Sequence, residues 1–310
     1  MRKLLFCTLL CSFICGLNAF SQDDVISARL MTYNIRHGEG MDGVIDLDRQ
    51  ATVILDNNPD VIGLQEVDSC VKRSSYVPQA AILGQKTGMY ATFGGAIPLT
   101  GGKYGVAILS KEEPLAVHHM PLPGTEKRTL LVCEFENYVF ATTHLDLNDS
   151  CRLASLDTII EEAASWDKPF FICGDWNDEP TSTLIKTMKK NRLFSFLSYR
   201  TNTSTYYTFP AKNPTKIIDY IASYGEVVKS TGRPKVVNEP NASDHRPVYV
   251  DITLELPTGI QSISADTNEL QGKEVYDLSG RKISTRQIEN GNLPKGIYVL
   301  KNERKLIMVK

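Results

Sequence analysis

The chain has 310 residues, with 34 Lys and Arg against 36 Asp and Glu, and a formal net charge of −2 at pH 7. That length can bury a full core and carry a small appendage, while the slightly acidic balance argues against a general nucleic-acid binder. Such a binder presents a basic face to displace counterions from phosphates.

At the N-terminus, Arg2 and Lys3 precede an apolar run, Leu4 to Leu17, broken only by Thr8, Ser12 and Gly16. Ala19-Phe20-Ser21 then places small residues where a signal peptidase cuts. This pattern predicts a signal peptide over 1–21 and an exported protein: periplasmic, cell-surface or secreted. A membrane anchor is the alternative, but the run is short for a bilayer span and no later segment approaches one. A lipid anchor at Cys15 is disfavoured by bulky Phe13 and Ile14. Cys7, Cys11 and Cys15 leave with the leader. Cys70, Cys133, Cys151 and Cys173 remain, too irregular for a disulfide framework, although one disulfide stays open. Cys133 and Cys173 sit in apolar runs and read as small hydrophobes.

Short apolar runs then alternate with turns and helices. Strands are predicted at Ser27–Tyr33, Val61–Leu64, Tyr104–Leu109, Leu130–Phe135, Tyr138–Thr143, Lys168–Cys173, Tyr206–Phe209, Ile217–Ser223 and Pro247–Leu254. Helices are predicted at Leu47–Asn57, Val77–Thr87, Asp149–Ala164 and Ser182–Lys190. Hairpins mixed with strand–helix units imply an α/β (α+β) fold of two mixed sheets packed face to face with helices outside, as one domain over 22–256. From 257 the character changes to a linker and a small β tail. There, Lys273–Ile283 reads as strand–turn–strand, and Leu293–Leu300 with Lys305–Val309 as a hairpin. Residues 257–310 are too few for a sizeable core of their own.

Polar residues recur directly after or within these strands. Asn34 follows Leu30-Met31-Thr32-Tyr33, Glu66 follows Val61–Gln65, and His144 follows Tyr138–Thr143. Asp175 and Asn177 follow Pro169–Cys173, Asp219 lies between Ile218 and Tyr220, and Asp244-His245 precede a strand. Taken singly, Asn34, Asp175, Asn177 and Asp178 read as turn or cap residues, Asp244-His245 as an ordinary loop, and His118 and His119 as loop or edge residues. Glu66 and Asp219 are harder to dismiss, because an unpaired carboxylate among apolar neighbours is costly. Strand ends on one sheet edge can bring such groups to one point. Oxygen ligands without a Cys/His cluster favour Mg²⁺, with Mn²⁺ as the alternative, over zinc. Glu66, Asn34 and Asp244 are the candidate metal ligands. Two histidines with carboxylate partners suit general-base and stabilising roles on a phosphoryl group.

Six ordered motifs carry a resemblance. They are Thr32-Tyr33-Asn34-Ile35-Arg36, Leu64-Gln65-Glu66-Val67, Thr143-His144-Leu145-Asp146, Gly174-Asp175-Trp176-Asn177, Ile218-Asp219-Tyr220-Ile221 and Ser243-Asp244-His245-Arg246-Pro247. In this order they resemble the endonuclease/exonuclease/phosphatase family over residues 27–254. The resemblance implies a four-layered α/β sandwich and a Mg²⁺-dependent phosphoric ester hydrolase. Glu66 would bind the metal and Asn34 assist it; Asp244 would be a metal or water ligand. Asp175 would position the attacking water, Asn177 would hold a phosphate oxygen, and Asp219 would orient His245 as base. His144 would donate to the phosphate as charge builds. Where DNA-repair members place an acid, this chain has Arg36, which suits a substrate phosphate. Arg36, Arg73, Tyr104 and Arg128 are the candidate substrate contacts. Asn34–Gly38 and Arg73-Ser74 resemble the sphingomyelinase-like and lipid-remodelling branches.

These readings favour a phosphodiesterase over a monoesterase, acting on a lipid headgroup or a small-molecule phosphoester. The alternatives are an extracellular DNase I-like endonuclease and a non-catalytic phosphate-ligand binding protein on the same scaffold. Val275–Arg281 and Leu293–Val299, ending in Lys310, resemble a sorting domain of type IX secretion, which implies export machinery as a partner.

Overall fold

The structure, a computed structural model, describes residues 25–255 and, in the C-terminal stretch, 274–277, 280–284, 287, 296–300 and 305–309. The predicted signal peptide, the linker from 257, the Leu293–Lys295 stretch and Lys310 lie outside the described residues. The chain divides into a unit of Ile26–Leu256 and a second compact unit that includes Pro257–Lys310.

In the larger unit the elements run β1 (Val25–Asn34), α1 (Leu47–Asn57), β2 (Val61–Ser69), α2 (Gln79–Thr87), β3 (Tyr90–Leu99), β4 (Gly102–Ser110), β5 (Ala116–Leu122), β6 (Arg128–Glu134) and β7 (Val139–His144). They continue with α3 (Asp149–Ala164), β8 (Phe170–Asp175), α4 (Thr183–Lys189), β9 (Phe194–Phe196), β10 (Asp219–Tyr224), β11 (Ser230–Thr231), β12 (Lys235–Val236) and β13 (Val248–Glu255). One sheet has the order β11-β13-β1-β2-β4-β3, with β12 also on β13; the other has β5-β6-β7-β8-β10-β9. Each sheet is mixed. β1 and β2 pair in parallel, as do β7 and β8, while β4 runs antiparallel to β2, β10 to β8 and β6 to β7.

Three apolar clusters account for the layering. Leu30, Val61, Val106 and Ile108 of the first sheet meet Leu131, Phe140, Phe171 and Cys173 of the second between the sheets. Met31, Tyr33, Ile62 and Leu64 face the other way, onto Val53 and Ile54 of α1 and Leu83 of α2. Val132, Ala141, Ile172 and Tyr220 pack under Leu156 and Ile159 of α3 and Ile185 of α4. Period-two alternation puts successive residues of one strand into different clusters, and the result is a four-layered α/β sandwich. The helix ends are fixed locally. The Asp46 carboxylate accepts from the N–H groups of Asp48 and Arg49 ahead of α1, and Asn148 does the same for Ser150 and Cys151 ahead of α3.

Beneath the strand ends the two sheets are in close contact at Gly63. A Cβ at Gly63 would collide with Cys173 Sγ and Thr142 Oγ1. Beside it the Gln65 amide spans the gap, donating to Thr142 Oγ1 at 2.9 Å while Thr32 Oγ1 donates to its carbonyl oxygen at 3.3 Å. All three polar side chains are fully buried, so this bridge must be satisfied internally.

All four predicted helices are present, with small shifts at their ends. The segment Tyr206–Phe209 is not a strand. Ser204–Tyr206 forms a 3₁₀ turn, and Phe209 makes only an isolated bridge to Lys216 ahead of Pro210. Strands β3, β5, β9, β11 and β12 are additions; Gly94, Gly95 and Pro98 in β3 and His118, His119 and Pro121 in β5 dilute their strand pattern. His118 and His119 stand on β5 at the sheet edge. Cys70, Cys133, Cys151 and Cys173 are all free thiols. Among the described residues no helix is long and apolar enough to cross a membrane.

The second unit forms a three-stranded antiparallel sheet of β14 (Val275–Asp277), β15 (Gly296–Leu300) and β16 (Lys305–Val309). The Asp277 carboxylate accepts from Arg281 N at 3.0 Å, closing a turn in which Gly280 has φ +82°.

Gly63→Ala is expected to destabilise the protein by about 1–3 kcal/mol through overpacking of this inter-sheet contact. Urea unfolding of the two proteins measures the difference.

Candidate active site

The two parallel strand pairs place their C-terminal ends at the same edge. Asn34 pairs with Gln65 across β1/β2, and His144 with Asp175 across β7/β8. β10 runs antiparallel to β8, so its first residue, Asp219, also pairs with Asp175. The 243–247 loop is tied to the same end by Ser243 Oγ, which donates to the Asn34 carbonyl at 2.7 Å. Eight predicted residues therefore converge: Asn34, Glu66, His144, Asp175, Asn177, Asp219, Asp244 and His245.

Glu66 reaches the site through a β-bulge. Leu64 pairs with Ala107 and Val67 with Gly105, so two residues of β2 oppose one of β4. Ile62, Leu64 and Val67 all face the α1/α2 layer, and the extra residue, Glu66, takes φ +58°. That left-handed backbone is strained for a residue with a Cβ. Gly174 shapes the opposite wall. It has φ +152°, and a Cβ there would collide with Thr143 O. Trp176 then anchors the turn, fully buried with its ring 4.9 Å from Tyr220 and its backbone N–H donated to Ile218 O. Asp175 and Asn177 flank this anchor, and Asn177 N donates to Asp175 Oδ1 at 3.0 Å.

Asp175 Oδ2 is the hub. It accepts from Asn34 Nδ2 at 3.0 Å and lies 3.5 Å from Nε2 of both His144 and His245. Asn34 Nδ2 also donates to Glu66 Oε1 at 3.1 Å. His245 Nδ1 meets Asp219 Oδ2 at 3.0 Å, which leaves Nε2 facing the site. The two imidazoles are driven apart in acidity. Burial opposes charge on His245, but the Asp219 and Asp175 carboxylates outweigh it and hold the pKa up to about 10. For His144 burial dominates and lowers the pKa to about 4, with Asp175 opposing and Arg128 reinforcing the depression. The Asn177 amide nitrogen meets both Leu145 O and His144 Nε2, so it is the donor and Nε2 the acceptor. His144 then carries its proton on Nδ1, which is buried without a partner.

The substrate-contact candidates divide. Arg36 lies at the rim, 3.2 Å from Glu39 and 3.9 Å from Asp244. Arg73 is bound at two points to buried Asp68, with its guanidinium 5.5 Å from the centre of the Tyr104 ring. Arg128 is only 6% exposed and pairs with Glu126 at 3.0 Å. It lines a void of about 10 Å³ with Tyr104 and His144, behind the imidazole. Asp178 is held by Arg152 at 3.1 Å, away from this centre. Phe209 was not among the sequence candidates, yet its ring lies 4.8 Å from the His245 ring. The apolar Thr208-Phe209-Pro210 run gave no sign of that contact.

The oxygen donors around Glu66 bear on whether a divalent cation fits here. Glu66 is a part-buried carboxylate whose pKa is raised, first by desolvation and further by Asp175 and Asp244, while the Asn34 amide and His245 oppose. Among the described residues no ion pair neutralises it. A part-buried carboxylate facing two others fits a hard cation held by oxygen. Asp175, Asp219 and His245 form a tighter group, with ligand atoms within 4.8 Å of one another. Asp219 and His245 already satisfy each other there, so the Glu66 side suits an ion better.

A two-sheet sandwich with a carboxylate, amide and imidazole cluster at its strand ends defines a phosphoester-hydrolase architecture. Residues 31–245 match the Endonuclease/Exonuclease/phosphatase family, and the chain belongs to that family. Its members are phosphoester hydrolases, typically dependent on a divalent metal. Among solved structures, an endonuclease/exonuclease/phosphatase from Beutenbergia cavernae is similar at 18% identity with a TM-score of 0.62, covering 83% of this chain and 88% of that one. The mannosyl-6-phosphatase Bt3783 of Bacteroides thetaiotaomicron is similar at 16% identity and a TM-score of 0.58, covering 73% and 99%. ANGEL2, a 2',3'-cyclic phosphatase in complex with adenosine-2',3'-vanadate, is similar at 15% identity and 0.58, covering 75% and 97%. These three share the fold. No curated protein matches the sequence.

Two predictions follow from this geometry. A depressed folded-state pKa for His144 means that the unfolded chain binds its proton first as pH falls. Stability is therefore lost between about pH 6.5 and 4, on the order of 1–2 kcal/mol at pH 5. His144→Gln should reduce that acid-side loss, read by urea unfolding at pH 7 and pH 5. Glu66→Gly removes both a strained φ and a part-buried carboxylate, and should raise stability by about 1 kcal/mol. The same unfolding measurement at pH 7 checks it.

Proposed function

We propose that this protein is a Mg²⁺-dependent phosphodiesterase acting on a small-molecule or lipid-headgroup phosphoester. The observation that carries the reading is the pair of imidazoles on either side of Asp175, with opposite shifts in acidity and one fixed by Asp219. Environments that separate the pKa values of two like groups assign them different proton-transfer roles.

Glu66, with Asn34 and Asp244, would hold the cation, which when bound supplies positive charge against the phosphoryl oxygens. Asp175 accepts hydrogen bonds at the centre of the site and orients the attacking water. Asp219 fixes His245 Nδ1, so that proton movement occurs at Nε2. The Asn177 amide offers hydrogen to a phosphoryl oxygen once substrate displaces one of its present acceptors. His144 gains a proton more readily as negative charge develops beside it, which lets Nε2 donate in the transition state. Arg36 at the rim suits a non-bridging phosphate oxygen.

A small substrate is supported by composition: the net charge of −2 offers no basic surplus for tracking a duplex. The mannosyl-6-phosphatase and the 2',3'-cyclic phosphatase show that small phosphoesters are substrates of this fold. The leader pattern and the sorting-type tail support export by way of a dedicated machinery.

The test is hydrolysis of bis(p-nitrophenyl) phosphate, p-nitrophenyl phosphate and p-nitrophenyl phosphorylcholine with Mg²⁺ and with EDTA. Diesters should be cleaved faster than the monoester, and EDTA should abolish turnover. His245→Ala and Glu66→Gln should each lower kcat by at least about a hundredfold. Turnover that survives EDTA and both substitutions would sink the proposal.

A further inference from the structure

The turn between β1 and α1 holds three successive residues on the left-handed side of backbone space: Arg36 and His37 at φ +46° and Gly38 at φ +81°. Glycine takes such an angle freely, but Arg36 and His37 are each strained by a Cβ. The turn's own closing bonds are short-range, from Gly38 N to Ile35 O and from Glu39 N to Arg36 O, both at 2.8 Å. Two strained residues in a row persist only where the surroundings over-determine them.

Gln79, the first residue of α2, supplies a long-range tie to the centre of this turn, and its side chain is fully buried. Its Nε2 donates to the His37 carbonyl at 2.6 Å, and its Oε1 accepts from Asp68 N at 2.9 Å. One partner is an acceptor and the other a donor, so the two ends of the amide are not interchangeable. Asp68 lies two residues beyond Glu66 on β2, and its carboxylate is held at two points by Arg73. A single amide thus clamps the turn after β1 to the strand that carries the bulge. The contact is tight: a Cβ at Gly38 would lie 3.0 Å from Leu47 Cδ2 and 3.3 Å from Gln79 Nε2.

The turn serves the site in two ways. The backbone N–H of Arg36 donates to Asn34 Oδ1 at 3.0 Å. With its oxygen engaged there, the Asn34 amide must present Nδ2 to Glu66 and Asp175. The same turn sets the Arg36 guanidinium at the rim, between Glu39 and Asp244. A turn relaxed to right-handed angles would withdraw the Arg36 N–H, and the amide would be free to set its oxygen against two carboxylates.

We propose that Gln79 is a positioning residue of the catalytic centre: by holding the left-handed turn at 36–38 it fixes the orientation of the Asn34 amide and the place of Arg36. Its effect on turnover rests on the phosphoester-hydrolase reading, whereas the clamp itself rests on the geometry of the turn. Gln79 acts through these two residues and stands behind them in the α1/α2 layer.

The experiment uses the full chain with Gln79→Glu and Gln79→Met, each alone and combined with His37→Gly. Glutamate keeps an acceptor for Asp68 N and loses only the donor to His37 O; methionine removes both. Hydrogen exchange without Mg²⁺ reads the Arg36 amide, which should exchange at least about tenfold faster in either variant. With Mg²⁺, turnover of bis(p-nitrophenyl) phosphate should fall at least about tenfold in kcat through Asn34, while KM rises about threefold through Arg36. A mere loss of folded protein would lower kcat and leave KM unchanged. Adding His37→Gly should recover about fivefold in both readouts, because glycine takes the left-handed φ without strain. A packing role for Gln79 predicts no such rescue. Unchanged Arg36 exchange in both variants, or losses that His37→Gly does not recover, overturns the proposal. Failure of both variants to fold would also overturn it, making Gln79 a general stability element. Absence of turnover in the wild-type protein would count against the hydrolase reading, and exchange with its rescue then decides the clamp by itself.

Discussion

The single extra residue in β2 is the constraint on which the site depends. Without it, the alternation of Ile62 and Leu64 would carry residue 66 outward into the α1/α2 layer, where Val67 now packs. The bulge gives that apolar position to Val67 and turns a carboxylate toward the strand ends instead. Its left-handed φ is held because β1 and β4 pair on both sides and the Gln65 bridge fixes the preceding residue to the other sheet. Strain at one residue is small beside the burial that these two sheets secure around it.

From that point the electrostatics follow. Three carboxylates, Glu66, Asp175 and Asp244, face a common space, and among the described residues their close cationic partners are the His245 imidazole and the rim Arg36. Such an arrangement is unfavourable in a dry interior unless a cation or phosphate chemistry uses it. His245 compensates part of the charge through Asp219 and Asp175, whereas His144, on the drier side near Arg128, stays neutral. One cluster thereby holds two imidazoles of opposite acidity beside a set of carboxylates.

Much of this was legible in the sequence because the site residues abut strands. Asp175 follows Pro169–Cys173, and Asp219 interrupts Ile217–Ile221, so apolar runs located both carboxylates. The helices were also clear, since Asp46 and Asn148 cap them and Asn58 and Gly88 end them. β3 was not, because Gly94, Gly95 and Pro98 have low strand propensity and only pairing with β4 makes them extended. The bulge was invisible for another reason: Leu64-Gln65-Glu66-Val67 reads as regular alternation until β4 supplies the register. The burial of Arg128 against Glu126 depends on how the chain folds back between β5 and β6, which no local pattern announces. The tie between Asp68 and Arg73 is likewise set by the 3₁₀ turn at Lys72–Ser74.

The order in which the site residues occur along the chain has a consequence for biosynthesis. Asn34 stands on the first strand, whereas Ser243, Asp244 and His245 precede the last strand of the large unit, and Ser243 Oγ closes the circuit on the Asn34 carbonyl. Sequence separation this large makes closure one of the latest and entropically dearest contacts to form. A nascent chain emerging from the ribosome therefore has no assembled centre until nearly the entire unit has been synthesised. Any precursor kept unfolded for translocation would be inert toward the phosphoesters of the compartment in which it is made.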